Sequence, residues 1–256
     1  MREPSDLSGA VVLVTGGTRG VGRGITEAFL GRGAAVVTCG RTEPDQTTTV
    51  AGRSASFVAT DVREPEDVDA LITAIVRDHG RLDVVVNNAG GAPAADAATA
   101  SPRFSTRIVQ LNLLAPLFVA QAANRVMQDQ AGGGAIVNIA SVSALRPSPG
   151  TAAYGAAKAG LVSLTRSLAV EWAPRVRVNA VSAGMIRTEQ ADLHYGDADG
   201  VARVEATIPL GRLGTPADVG EACVFLASPA AAYVSGANLV VHGGGEAPAF
   251  LAAVDG

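Results

Sequence analysis

The chain has 256 residues, of which 48% are hydrophobic and 17% charged, with a net charge of −4. Such a composition supplies a sizeable core and excludes a disordered chain. With no block of basic residues, nucleic acid and anionic membrane surfaces find no electrostatic footprint, and neither is expected as a partner.

Along the chain, short β-branched runs alternate with longer helical patterns. Strands are predicted at 10–15, 34–39, 55–60, 83–88, 134–140, 175–181 and 237–243, and helices near 20–31, 65–79, 102–130, 152–173 and 216–228. The strands are apolar on both alternations, as strands covered on both faces must be. The prediction is an α/β fold: a Rossmann-type doubly wound parallel sheet of about seven strands, with helices on both faces. No linker or internal repeat divides it, so residues 1–256 read as one domain. Two segments break the rhythm. Residues 42–54 connect the second and third strands with so little chain that their helix is expected to be short or absent. Residues 185–215 lack periodicity and read as a loop over a binding site.

Cys39 and Cys223 sit in separate apolar runs and read as buried free thiols, suited to a reducing cytosol. His79, His194 and His242 are isolated from one another, and no residues have metal-ligand spacing, so no metal is expected. The first ten residues carry no signal-peptide core, and no apolar run reaches membrane-spanning length. A cytoplasmic protein is the expectation.

The first strand runs into "TGGTRGVG", residues 15–22, and then a helix. Gly16, Gly20 and Gly22 let the backbone turn and approach a ligand closely. The helix start behind them offers free N–H groups and a positive dipole end to a phosphate. Ordinary strand-to-helix turns also use glycine, so placement after the first strand carries the argument. At the end of the second strand, where NAD sites place an acid, the sequence has Arg41, and Arg19 lies within the glycine turn. Guanidinium groups suit a 2′-phosphate, which favours NADP(H) over NAD(H). Either arginine taken alone also reads as a solvated loop charge. Asp61 and "NNAG" (87–90) close the third and fourth strands, at the edge where open α/β sheets bind ligands; singly, each also reads as a turn or cap residue.

In "TAAYGAAKAG", residues 151–160, Tyr154 and Lys158 are one helical turn apart on one face among small residues. Together with "TGGTRGVG", "NNAG", Asn112, Ser141 and "VNAVSAG", this pair makes residues 8–245 resemble the short-chain dehydrogenase/reductase family in its compact single-domain branch. Their joint occurrence in this order is specific where each motif alone is not.

The resemblance implies a catalytic set. Tyr154 matches the proton donor, Lys158 the lysine on the nicotinamide ribose, Ser141 the serine on the substrate carbonyl, and Asn112 the asparagine of a water-linked proton relay. It further implies a cofactor site built from Gly16, Thr18, Arg19, Gly20, Val21, Gly22, Arg41, Asp61, Val62, Asn88, Ala89, Gly90, Tyr154, Lys158, Gly184, Ile186 and Thr188. A free phenol, with a pKa of about 10, is a poor base at neutral pH, and a nearby ammonium is expected to favour the phenolate. The small residues around the pair leave room for the cofactor, and the resemblance implies that this helix packs against its copy in a homo-oligomer, dimer or tetramer.

Two positions depart from the pattern. Ala183 stands where the family carries proline, which is expected to loosen the backbone. His242 replaces a common aspartate near the last strand, with a structural role or an altered subunit contact expected. Residues 91–103, 142–150 and 185–210 are expected to wall the substrate site, with Met185, Leu193, His194 and Tyr195 adding surface and Arg146 either meeting an acidic or acyl-carrier group or serving as a loop charge. The function expected is NADPH-dependent reduction of a ketone, such as a 3-oxoacyl group. An NAD-dependent alcohol or steroid dehydrogenase, and a non-catalytic nucleotide-binding regulator, are the alternatives.

Overall fold

The computed structural model describes residues 6–189, 191 and 195–246. In chain order its strands are β1 (Val11–Thr15), β2 (Ala35–Gly40), β3 (Thr49–Val50), β4 (Arg53–Ser54), β5 (Ser56–Ala59), β6 (Val84–Asn87), β7 (Gly134–Ser141), β8 (Val176–Ala183) and β9 (Asn238–Val241). Its helices are α1 (Gly20–Gly31), α2 (Pro65–His79), α3 (Pro102–Val109), α4 (Ala115–Asp129), α5 (Ala152–Glu171), α6 (Ala198–Glu205) and α7 (Pro216–Ala227). Seven strands form one sheet in the order β5-β2-β1-β6-β7-β8-β9, and every pairing in it is parallel.

The all-apolar strands have the cause expected of them. On β1, Val11 and Leu13 pack with Leu71 of α2 and Val119 of α4. Val12 and Val14 point the other way, onto Ile25 and Phe29 of α1 and Val219 of α7. Both faces of one strand are therefore buried, and apolar side chains on both alternations follow. The strand order reverses between β1 and β6, whose ends at Thr15 and Asn87 border a crevice. In open parallel sheets that crevice is where ligands bind.

Three segments add to or differ from the sequence reading. Between β2 and β5 the helix is absent, as expected, and the chain instead forms a hairpin, β3–β4, turning at Ala51 (φ 51°) and Gly52 (φ 75°). Paired positive φ values give the turn whose twist suits a two-residue hairpin. The helix predicted over 102–130 is interrupted by a π-turn at Gln110–Leu114, in which the Ala115 N–H donates to the Gln110 carbonyl. Pro116 explains it: proline has no N–H for the carbonyl four residues back, that of Asn112, and its ring clashes there in a regular helix. Within 185–215 the chain forms α6, capped by the Asp197 carboxylate on the Gly200 N–H at 3.0 Å. Its two ends meet in a bridge between Ile186 and Gly214. Leu193 and His194 lie outside the described residues.

Candidate active site

The glycine turn is tied to the end of β6. Thr15 Oγ1 accepts the N–H groups of Asn88 and Ala89, each at 3.0 Å. The Asn88 side-chain amide donates back to the carbonyls of Thr15 at 2.9 Å and Gly16 at 3.1 Å. Gly16 has a φ of 62°, a conformation glycine adopts without strain. Gly22 faces it so closely that a Cβ there would lie 2.1 Å from the Gly16 carbonyl oxygen. Gly22→Ala therefore forces backbone against backbone. The expected result is a loss of about 2 kcal/mol or more in stability together with weakened dinucleotide binding, read by thermal unfolding and a dinucleotide titration.

Beyond the turn, Thr18 and Val21 are half-buried and Arg19 is exposed. Arg19 caps α1 only through its backbone, and the first turn of that helix holds no acid. The Gly20 N–H instead donates to a carboxylate oxygen of Glu189 at 2.9 Å. An anionic group of the chain itself is thus already held at the phosphate-binding end of the turn. A Cβ on Gly20 would meet nothing nearer than 3.7 Å, so the turn is open there, and the residues present fit a dinucleotide phosphate.

At the far side of the crevice, Arg63 forms a two-point ion pair with Asp61. That guanidinium, above all, holds the Asp61 carboxyl below the usual carboxylate range, and the charge of Arg41 adds to the effect. Arg41 is exposed. Neither it nor Arg19 has an ion pair among the described residues. Arg63 is absent from the sequence reading, although its place two residues beyond Asp61 was a signal. Val62 is buried in the core beside them.

The other end of the crevice collects the remaining candidates. Lys158, 3% exposed, donates its ammonium to the Ile139 carbonyl at 2.7 Å and lies 5.6 Å from the Tyr154 ring centroid. Burial pushes its pKa down to about 8. Burial also raises the Tyr154 phenol above its usual value, and a hydrogen bond from Ser141 draws it partly back. The shift is therefore upward, away from the phenolate that proximity of Lys158 was expected to favour, and Tyr154 keeps its proton at neutral pH. Ser141 ends β7, and its hydroxyl also accepts the Ser143 N–H at 3.2 Å.

Asn112, fully buried in the π-turn, joins Gly91 through two bonds, accepting its N–H at 2.9 Å and donating to its carbonyl at 3.0 Å. A Cβ on Gly90 would sit 2.7 Å from Asn112 Oδ1 and 3.3 Å from Lys158 Nζ, so that glycine keeps the two groups next to open space. The predicted catalytic set therefore converges from three separate elements: the π-turn, β7 and α5. The small residues of α5 have several causes: Gly155 lies against the Ser143 carbonyl and Gly160 against Leu113, while Ala152, Ala156 and Ala159 are exposed.

Gly184 donates to the Val241 carbonyl at 2.9 Å, and Ile186 is buried. The Thr188 methyl lies against Gly20. Ala183 does not loosen this backbone. It continues the β8 ladder between Ser141 and Val241, where a proline would have no N–H to give. His242 packs its Cβ on Gly184 and its ring on Gly245. Together with Val142, Leu145, Arg146 and Met185 it lines a cleft of about 290 Å³. Arg146 is paired there with Glu246 at 2.7 Å. A smaller cavity of about 90 Å³, lined by Ala92, Pro93, Phe104 and Thr151, borders Tyr154 itself. Tyr195 bonds the backbone of Ile186. Among the described residues, no helix is long and apolar enough to cross a membrane.

A family model described as enoyl-(acyl carrier protein) reductase matches residues 16–246. The chain belongs to the short-chain dehydrogenase/reductase family. Membership makes it an NAD(P)-dependent oxidoreductase of the alcohol–carbonyl pair. It is 36% identical to the 3-oxoacyl-[acyl-carrier-protein] reductase FabG of Vibrio cholerae, covering 93% of this chain and 98% of that one. It is also 36% identical to 3beta-hydroxysteroid dehydrogenase 1 of Eggerthella lenta, covering 93% and 94%. The ligand-free aldohexose dehydrogenase of Thermoplasma acidophilum superposes with a TM-score of 0.87 at 32% identity, covering 94% of this family member and 95% of that chain.

Proposed function

We propose that this chain reduces a ketone to a secondary alcohol with NADPH. The observation that carries the reading is the convergence at one crevice of a Ser141-bonded phenol, the buried Lys158 ammonium 5.6 Å from its ring and a buried Asn112. Gly16, Thr18, Gly20, Val21 and Gly22 would hold the phosphates; Arg19, Arg41, Asp61, Val62, Asn88 and Ala89 would hold the adenosine end; and Gly90, Tyr154, Lys158, Gly184, Ile186 and Thr188 would hold the nicotinamide end. When bound, the dinucleotide supplies the hydride.

The chain's own residues handle the proton. Ser141 donates a hydrogen bond to the carbonyl oxygen as negative charge gathers there. Tyr154, kept protonated by its desolvated site, delivers a proton to the same oxygen. Lys158 would hold the ribose of a bound dinucleotide and, with Asn112 and water, return a proton to the phenol. The cleft of about 290 Å³ and the segment 185–215 form the substrate side, and its apolar lining from Val142, Leu145 and Met185 suits a ketone of moderate size. The similarity to a 3-oxoacyl reductase supports a 3-oxoacyl or related carbonyl. The exposed alanine stripe of α5 serves a homo-oligomer.

NADPH is favoured because Asp61 spends its charge on Arg63, leaving the exposed Arg41 for a 2′-phosphate. The test compares NADPH and NADH in dinucleotide titrations and in turnover over a panel of ketones and alcohols, for the unmodified chain and Arg41→Ala. NADPH affinity is expected to fall about tenfold in the variant while NADH affinity holds. A preference for NADH that Arg41→Ala leaves unchanged would favour the second reading, an NAD-dependent alcohol or steroid dehydrogenase, which the similarity to a hydroxysteroid dehydrogenase supports. Absence of any absorbance change across the panel would point to a nucleotide-binding regulator.

A further inference from the structure

We propose that Glu189 is a built-in competitor for the dinucleotide phosphates, an inference that rests on the proposed dinucleotide site. Its carboxylate accepts the Gly20 N–H at 2.9 Å, although 169 residues separate the two in sequence. Helix α1 has no cap of its own to do this: Arg19 makes no side-chain cap bond, and the first turn is free of acids. A helix start without such partners presents unpaired donors and a positive dipole end, for which any nearby anion competes. Glu189 and a phosphate group ask for the same donor, and both are negative. They cannot share it.

The segment carrying Glu189 is anchored at its other side. The Arg187 N–H donates to the Gly214 carbonyl at 2.8 Å, and the Arg187 guanidinium pairs with Glu205 of α6 at 2.9 Å. Thr188, between this anchor and Glu189, lies against Gly20. Releasing Glu189 from Gly20 therefore frees the Glu189 carboxylate while 186 and 187 stay tied to 214. Dinucleotide binding becomes an exchange of one anion for another at the Gly20 N–H.

The test titrates NADPH, NADH and inorganic pyrophosphate into the ligand-free chain, its Glu189→Gln variant and its Glu189→Ala variant at low salt. Glu189 is exposed, and thermal unfolding of each variant checks that the fold is kept. All three probes are expected to bind about two- to fivefold tighter to both variants. Equal or weaker binding to well-folded variants, with the unmodified chain binding dinucleotide normally, overturns the role of Glu189 and leaves the functional reading intact. An unmodified chain that binds neither dinucleotide overturns that reading and this inference with it.

Discussion

Replacing Tyr154 by phenylalanine is expected to cut turnover about a hundred- to ten-thousandfold while leaving dinucleotide affinity within about twofold. The substitution removes one oxygen and keeps the ring that lies 5.6 Å from Lys158 Nζ. What disappears is the proton that burial holds on the phenol and the bond that Ser141 gives it. Fold and crevice keep their shape, so binding measured by titration separates a lost proton donor from a lost site. The raised phenol also fixes the direction of the pH profile. Carbonyl reduction needs the protonated phenol and the Lys158 ammonium, so its rate is expected to fall as pH rises through about 8, where the lysine loses its proton, before the phenol loses its own. Turnover by Tyr154→Phe at the unmodified rate on a good substrate would contradict the assignment of the donor.

The sequence carried the sheet because its strands are buried on both faces and cannot hide their apolar character. It carried the glycine turn because Gly22, with the Gly16 carbonyl against it, tolerates no other residue cheaply. Tyr154 and Lys158 were legible through helical spacing, whereas their company was not: Ser141, Asn112 and Gly90 arrive from other elements, and only the family pattern joined them beforehand. The π-turn was written in Pro116, but its effect depends on a helix continuing on both sides, which local pattern does not guarantee. The contact between Glu189 and Gly20 has no sequence signature, since it joins two loops through the tertiary fold alone. The direction of the Tyr154 shift was missed for a related reason. Proximity of an ammonium is visible in spacing, while the desolvation that raises the phenol is a property of the packed interior.

Lys158→Met is expected to abolish turnover and, at the same time, to remove a pH-dependent weakness of the fold. The folded chain holds the Lys158 proton with a pKa of about 8, against 10.5 for the free side chain. Between those values the unfolded chain binds more protons, so this residue makes stability rise as pH climbs from 8 toward 10.5. Below pH 8 its full penalty applies, on the order of 3 kcal/mol. Methionine fills a similar volume without charge but leaves the Ile139 carbonyl unpaired, which costs about 1–3 kcal/mol at every pH. Stability at pH 7 alone is therefore a poor readout, because the two effects oppose each other. Its change with pH is a clean one.

Tyr154 and the buried Cys39, whose thiol is raised to about 12, titrate in the opposite sense and lower stability in alkali, but both proteins contain them. The difference between unmodified chain and variant isolates Lys158. Denaturant unfolding of both at pH 7.5 and pH 10 should show the unmodified chain gaining about 2 kcal/mol relative to the variant. A difference that stays flat across that range would mean the lysine is solvated or already neutral, and its ammonium would then be no part of the site. A buried charge kept at this cost, with one carbonyl as its hydrogen-bond acceptor among the described residues, is one that packing alone has no reason to retain.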